Sequence, residues 1–208
     1  MPKQARRYGG QSADERDHER LTRLRAAAIE LFGAEGYAAA SVERLCSEAK
    51  VSTRHYYQLF SNKEDALLDT YSEITSASIA NVQLALEKTA GLDITTRLQS
   101  AVQAYLDPML DDARKARIAF VEVVGVSQRV EGIRLQFRNG IVELIQREAA
   151  AAVKRGELTP KDFRFRALAF LGAVNVLVHD WSIHPDHVDA GRLSDQLSDL
   201  AVELIVQA

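Results

Sequence analysis

Residues 41–60 read SVERLCSEAKVSTRHYYQLF, Ser41 to Phe60. Ser41 and Ser52 each stand just before a helical run, and serine is a favoured N-cap. The stretch therefore predicts two short helices, 42–49 and 53–60, with a turn at about 50–52. That arrangement is a helix-turn-helix, whose second helix can enter a DNA major groove. At about 100° per residue from Thr53, Tyr56 falls near 300° and Phe60 near 340°, on one face. With Val51 from the turn, they should pack inward. Arg54, His55 and Gln58 point the other way, with Thr53 and Tyr57 on the flank. The outward groups suit nucleic acid. Arginine pairs bidentately with guanine, glutamine pairs with adenine, and threonine touches a base or a thymine methyl. Tyr57 and Lys63 suit phosphates, and the two N-caps add backbone N–H groups at positive dipole ends.

Outward from this stretch the chain reads as all-α. Residues 1–16 form an expected disordered basic arm with Lys3, Arg6, Arg7 and Gly9-Gly10. From Arg16, Leu21, Leu24, Ala28, Leu31 and Phe32 recur at three- and four-residue steps, an amphipathic helix that stops at Gly33 to Gly36. Lys63 to about Lys88 reads as one long helix. Further helices are expected at about 93–108, 113–126, 129–154, 160–183 and 191–207. Pro108 should end one of them, Gly156 should follow another, and Thr159-Pro160 should cap and begin the next. The expected architecture has about nine helices. A three-helix DNA-binding domain at 17–62 precedes a helical ligand-binding and dimerisation domain at 63–208.

Composition narrows the classes. The chain has 208 residues, 47% of them hydrophobic, which supports a core without metals or disulfides. A lone cysteine, Cys46, excludes an internal disulfide and fits a reducing cytoplasm. No apolar run opens the chain and none approaches ~18 residues, so neither a signal peptide nor a membrane helix is expected. The net charge of -3 is unevenly spread: residues 1–63 hold 11 Lys/Arg against 8 Asp/Glu, and the remainder 15 against 21. A basic end on an acidic protein fits a polyanion partner.

The run Ala27-Ala28-Ile29-Glu30-Leu31-Phe32, then Gly36-Tyr37, Ser41-Val42, Val51-Ser52, Tyr57, Phe60, Lys63-Glu64 and Leu67, resembles the TetR family of bacterial transcriptional regulators. The resemblance implies base contacts from Thr53, Arg54 and His55, and phosphate contacts from Ser41, Arg44, Tyr57 and Lys63. Ser52 and Gln58 complete the candidate DNA-binding set. Two residues depart from the family pattern. Lys50 stands where a glycine is usual, in a turn that favours a left-handed residue. Leu59 stands where a polar aromatic is frequent, and it cannot bond a phosphate.

The resemblance also implies a palindromic DNA operator read by a homodimer, a small-molecule effector that is largely apolar, and repression relieved by that effector. The C-terminal run Leu193, Leu197, Leu200, Leu204 is a narrow apolar seam. The preceding run FRALAFLGAVNVLVHDW is apolar nearly all round. Phe170, Val174, Leu177 and Trp181, with those four leucines, are the expected dimer interface. Polar residues inside apolar runs are pocket candidates: Tyr105, Met109, Glu122, Asn175 and His179. A buried Glu122 needs a partner, either a cationic ligand or a neighbouring arginine. His179, Asp180, His184, Asp186 and His187 crowd one helix end, but Pro185 breaks the geometry and no metal site is expected. No cofactor is expected. An all-helical enzyme and an interaction module without DNA binding are the competing readings. The first lacks any phosphate loop or nucleophile motif, and the second rests on Lys50 and Leu59.

Overall fold

The computed structural model describes residues 13–207. The expected basic arm lies outside them up to residue 12. Residues 13–16, assigned to that arm, are instead the first turn of a helix. Among the described residues there are nine α-helices and no strand. They are α1 (Ala13–Ala34), α2 (Val42–Ala49), α3 (Thr53–Leu59), α4 (Lys63–Lys88), α5 (Ile94–Leu110), α6 (Ala113–Arg117), α7 (Gln128–Lys154), α8 (Phe163–Ile183) and α9 (Ala190–Val202). Short π-helical turns follow α6 (Ile118–Glu122) and α9 (Glu203–Gln207).

The chain divides into two compact units, with the boundary between Thr70 and Tyr71. This is inside α4 and not at its start, where the sequence reading placed it. The first turns of α4 belong to the N-terminal unit because Ala66, Leu67 and Leu68 are buried. Asp69 also takes a two-pronged ion pair from Arg25 of α1, at 2.7 and 3.1 Å.

In the first unit α1 packs on α2 and α2 on α3. Leu24, Ala28, Phe32, Leu45 and Tyr56 are among its most buried side chains. Cys46 is buried as well, and burial pushes its thiol pKa up. α2 ends in a Schellman motif. The Val51 amide donates to Cys46 O at 3.0 Å and the Lys50 amide to Ser47 O at 3.2 Å. The motif needs a left-handed residue, and Lys50 supplies it with φ 52° and ψ 43°. The same closure at the end of α7 uses Gly156, at φ 78°.

In the second unit α5 packs on α9, α7 on α8, and α6 on α8. Its core is continuous through Val102, Leu106, Val142, Leu171, Val174 and Leu197. Three boundaries differ from expectation. Pro108 does not stop α5, which runs to Leu110; a proline in a last turn removes only one late hydrogen bond. α8 is capped by Asp162, whose Oδ1 accepts from the Phe165 amide at 3.0 Å, and not by Thr159-Pro160. Leu158 is drawn into a small core with Ile94 and Ala152, so the chain stays non-helical for that stretch. The expected helix 113–126 is α6 plus a π turn. Its register brings Arg117 Nε within 2.8 Å of Glu122 Oε1, five residues on.

Candidate nucleic-acid interface and ligand cavity

α2 and α3 are positioned by their caps. Ser41 Oγ accepts from the Arg44 amide, and Ser52 Oγ from the His55 amide, both at 3.3 Å. Ser52 Oγ also bonds His55 Nδ1 at 2.9 Å, which holds the imidazole beside the helix start. On α3, Tyr56 and Phe60 are buried, with ring centres 5.4 Å apart. Tyr56 donates to Asn62 O at 3.0 Å, which ties α3 to the start of α4. Thr53, Arg54, Tyr57 and Gln58 are exposed and His55 is half-buried. Tyr57 stands edge-on against Tyr56. α3 thus has one anchored face and one free polar face. Leu59 is half-buried, in keeping with an apolar residue at the edge of the anchored face.

Two expected phosphate ligands have other partners. Arg44 forms a fork to Glu35, and that pairing holds the Glu35 carboxyl below its ordinary value. Lys63 is partly buried, with its ammonium donating to Tyr37 O at 2.7 Å and Ala40 O at 2.8 Å. It closes the connection between α1 and α2. These carbonyls take two of the three N–H donors of Lys63, which makes it a structural clamp in the chain without DNA.

Two cavities of the second unit adjoin each other. The first, about 700 Å³ with the space at its mouth, has almost wholly apolar walls, among them Leu86, Leu98, Ile145, Phe170 and Ile205. Its charged lining is an ion pair between Arg97 and Glu148. The second, about 440 Å³, is more polar and is lined by Tyr71, Thr75, Met109, Arg134, Arg138 and Asn175 among others. Tyr105, Ile141 and Leu171 line both. Burial pushes the phenol pKa of Tyr71 up to about 12, and that of Tyr105 higher still. Both hydroxyls therefore stay protonated at neutral pH.

Of the five pocket candidates, Tyr105, Met109 and Asn175 lie on these walls. Glu122 and His179 do not. The π turn hands Glu122 to Arg117, and His179 lies on the exposed side of α8. Sequence reasoning missed Tyr71, Arg134 and Arg138. The signal was there: Arg134, Arg138, Ile141 and Ile145 recur at helical spacing, so both arginines share a stripe with buried residues.

The family model described as "Bacterial regulatory proteins, tetR family" matches residues 24–69, the α1–α4 segment just described. Residues 24–69 form a TetR-family N-terminal domain. The chain is 28% identical over 144 residues to the HTH-type transcriptional activator FasR of Mycolicibacterium smegmatis. That match spans 67% of the chain and 65% of FasR, just under two thirds of the relative's length. The HTH-type transcriptional regulator TcmR of Streptomyces glaucescens is 25% identical over 167 residues, spanning 76% of the chain and 71% of TcmR. Among solved structures, a tetR-family regulatory protein from Rhodococcus RHA1 superposes with a TM-score of 0.74 at 26% identity, covering 91% of this chain and 98% of that one. Bacillus subtilis FadR, solved in complex with stearoyl-CoA, superposes at 0.76 with 19% identity, covering 88% and 98%, and shares the fold.

The dimer candidates need correction. Phe170, Val174, Trp181, Leu193 and Leu197 are all buried within the subunit's own core. Trp181 even spends its indole N–H on Val188 O at 3.0 Å. Leu200 and Leu204 are half-buried, and only Leu177 is exposed. The apolar residues that α8 leaves in solvent are others: Phe165 at 70%, Val176 at 67% and Ile183 at 56% exposure. They lie along one stripe with Ala169 and Gly172, also exposed. Among the described residues no group of His, Cys, Asp and Glu could hold a metal, and no helix is long and apolar enough to cross a membrane.

Proposed function

We propose that this chain is a ligand-responsive transcriptional repressor that binds a palindromic operator as a homodimer and is released by a small, largely apolar effector. The observation that carries the reading is the division of α3, with Tyr56 and Phe60 buried and Thr53, Arg54, Tyr57 and Gln58 exposed. That polar face, with the capped starts of α2 and α3, suits base edges and phosphates. Thr53, Arg54, His55 and Gln58 are proposed to read bases. Ser41, Ser52 and Tyr57 hold phosphates, and Arg44 joins them when it leaves Glu35. The exposed apolar stripe of α8 is the proposed dimer face, since contiguous exposed apolar surface marks interaction sites. A palindrome read one helical turn apart sets the two α3 helices about 34–36 Å apart. The effector occupies the cavities of the second unit. It acts through α4, which begins at Lys63 and carries Val82 and Leu86 into the first cavity's wall. A coupling of about 1–3 kcal/mol would weaken operator binding roughly 5- to 150-fold. The chain is proposed to have no catalytic activity.

The test is titration of the purified chain against its own promoter region at several salt concentrations. Affinity should fall steeply with salt. Arg54→Ala with His55→Ala should reduce specific binding by at least tenfold, each base contact carrying about 1–3 kcal/mol. Unchanged promoter binding in the double variant would sink the reading and favour an interaction module.

A further inference from the structure

The two cavities share a wall and differ sharply in character. The first is apolar; its Arg97 also has a buried Nε without a hydrogen-bond partner, but its charge is neutralised by Glu148. The second holds the guanidinium groups of Arg134 and Arg138. Arg134 is matched by Glu131, through two hydrogen bonds of 2.9 Å. Arg138 acts on Glu131 only through its charge and forms no ion pair among the described residues. Its Nε is buried without a hydrogen-bond partner, and its Nη2 reaches Asn139 Oδ1 only at 3.5 Å, the outer limit of a hydrogen bond. The chamber therefore carries about one uncompensated positive charge, and a buried donor with nothing to donate to.

We propose that the second unit binds a single-chain amphiphile ending in a carboxylate, with its chain in the apolar cavity and its carboxylate on Arg138. The proposal rests on the effector-site reading above and gives that effector a chemical class and an orientation. A carboxylate is planar and accepts two parallel hydrogen bonds from one edge of a guanidinium, so Nε and Nη2 of Arg138 would both be satisfied. Tyr71 and Tyr105, protonated at neutral pH, add neutral O–H groups to the same chamber. Tyr105, Ile141 and Leu171 line both chambers and form the passage that the chain crosses. An uncharged apolar ligand leaves Arg138 unpaired. A cationic ligand meets two arginines.

Calorimetry on the full chain, with no DNA present, tests this with three C16 probes, each kept below its solubility or micellar limit: hexadecanoate, hexadecanol and hexadecyltrimethylammonium. Hexadecanoate should bind at least tenfold more tightly than hexadecanol, and the ammonium probe most weakly. Arg138→Met should bring hexadecanoate down to the affinity of hexadecanol while leaving hexadecanol within about twofold. Ala101→Leu, which narrows the apolar cavity, should move the preferred carboxylate to a shorter chain. Equal binding of hexadecanoate and hexadecanol by the wild-type chain overturns the proposal, whether or not any variant folds. So does an Arg138→Met chain that keeps the carboxylate preference. Because the readout lacks DNA, failure here leaves the regulator reading intact, and failure of promoter binding leaves this one intact.

Discussion

The ammonium of Lys63 donates to the carbonyl oxygen of Tyr37 at 2.7 Å and stands 4.2 Å from the centre of the same residue's ring. With Ala40 O at 2.8 Å, it fastens the start of α4 to the chain between α1 and α2. Lys63→Met should therefore lower the stability of the first unit by about 2 kcal/mol, the scale of hydrogen bonds from a charged donor. Urea unfolding measures this. A phosphate ligand, by contrast, would cost one unit of the salt slope when removed. That slope should not change.

Lys50 pays a conformational penalty that Gly156 does not. A side chain in the left-handed region costs roughly 1–2 kcal/mol, and glycine returns part of the gain through its freer unfolded state. Lys50→Gly should stabilise the first unit by about 0.5–1 kcal/mol on these scales. A midpoint in urea that moves down, not up, would contradict the strain argument.

The buried phenols set an alkaline limit. Tyr71 is raised from 10.0 to about 12 in the fold. A group whose folded pKa is raised contributes stability that is complete below its unfolded value and is lost as pH rises through the folded one. Stability should then be level up to about pH 10 and decline between 10 and 12. Tyr71→Phe should flatten that decline, read as melting temperature against pH. Direct absorbance titration should find the Tyr71 phenol ionising above the ordinary value of 10.0.

The stripe of Phe165, Val176 and Ile183 gives a direct test of assembly. Val176→Asp places a charge in the middle of it and should convert a dimer to a monomer in sedimentation, with the monomer still folded because Val176 is 67% exposed in the subunit. Leu193→Asp should instead unfold the second unit, since Leu193 lies in the subunit's own core. Equal effects of the two on assembly, with both chains folded, would contradict the division between these surfaces.

These contrasts mark what the amino-acid sequence discloses. The helix-turn-helix was legible because its determinants are local: two serine caps, two buried aromatics at four-residue spacing, and a turn. The faces of α8 were not, because the run is apolar nearly all round and its wheel favours no side. Only packing against α6, α7 and α9 determines that Phe170 and Val174 turn inward and Val176 outward. Glu122 was misplaced because five-residue spacing belongs to a π turn, which an ideal α-helical wheel does not contain. Arg138 was overlooked because an arginine on a long helix reads as solvent-facing unless its stripe is followed to Ile141.

Cys46 is the lone thiol of the chain, buried beside the α2–α3 turn and with its pKa raised. An alkylating reagent can reach it only when the first unit opens, so its labelling rate is a clock for that opening. The clock runs without any engineered probe. It would report whether operator DNA, once bound, slows the breathing of the helices that read it.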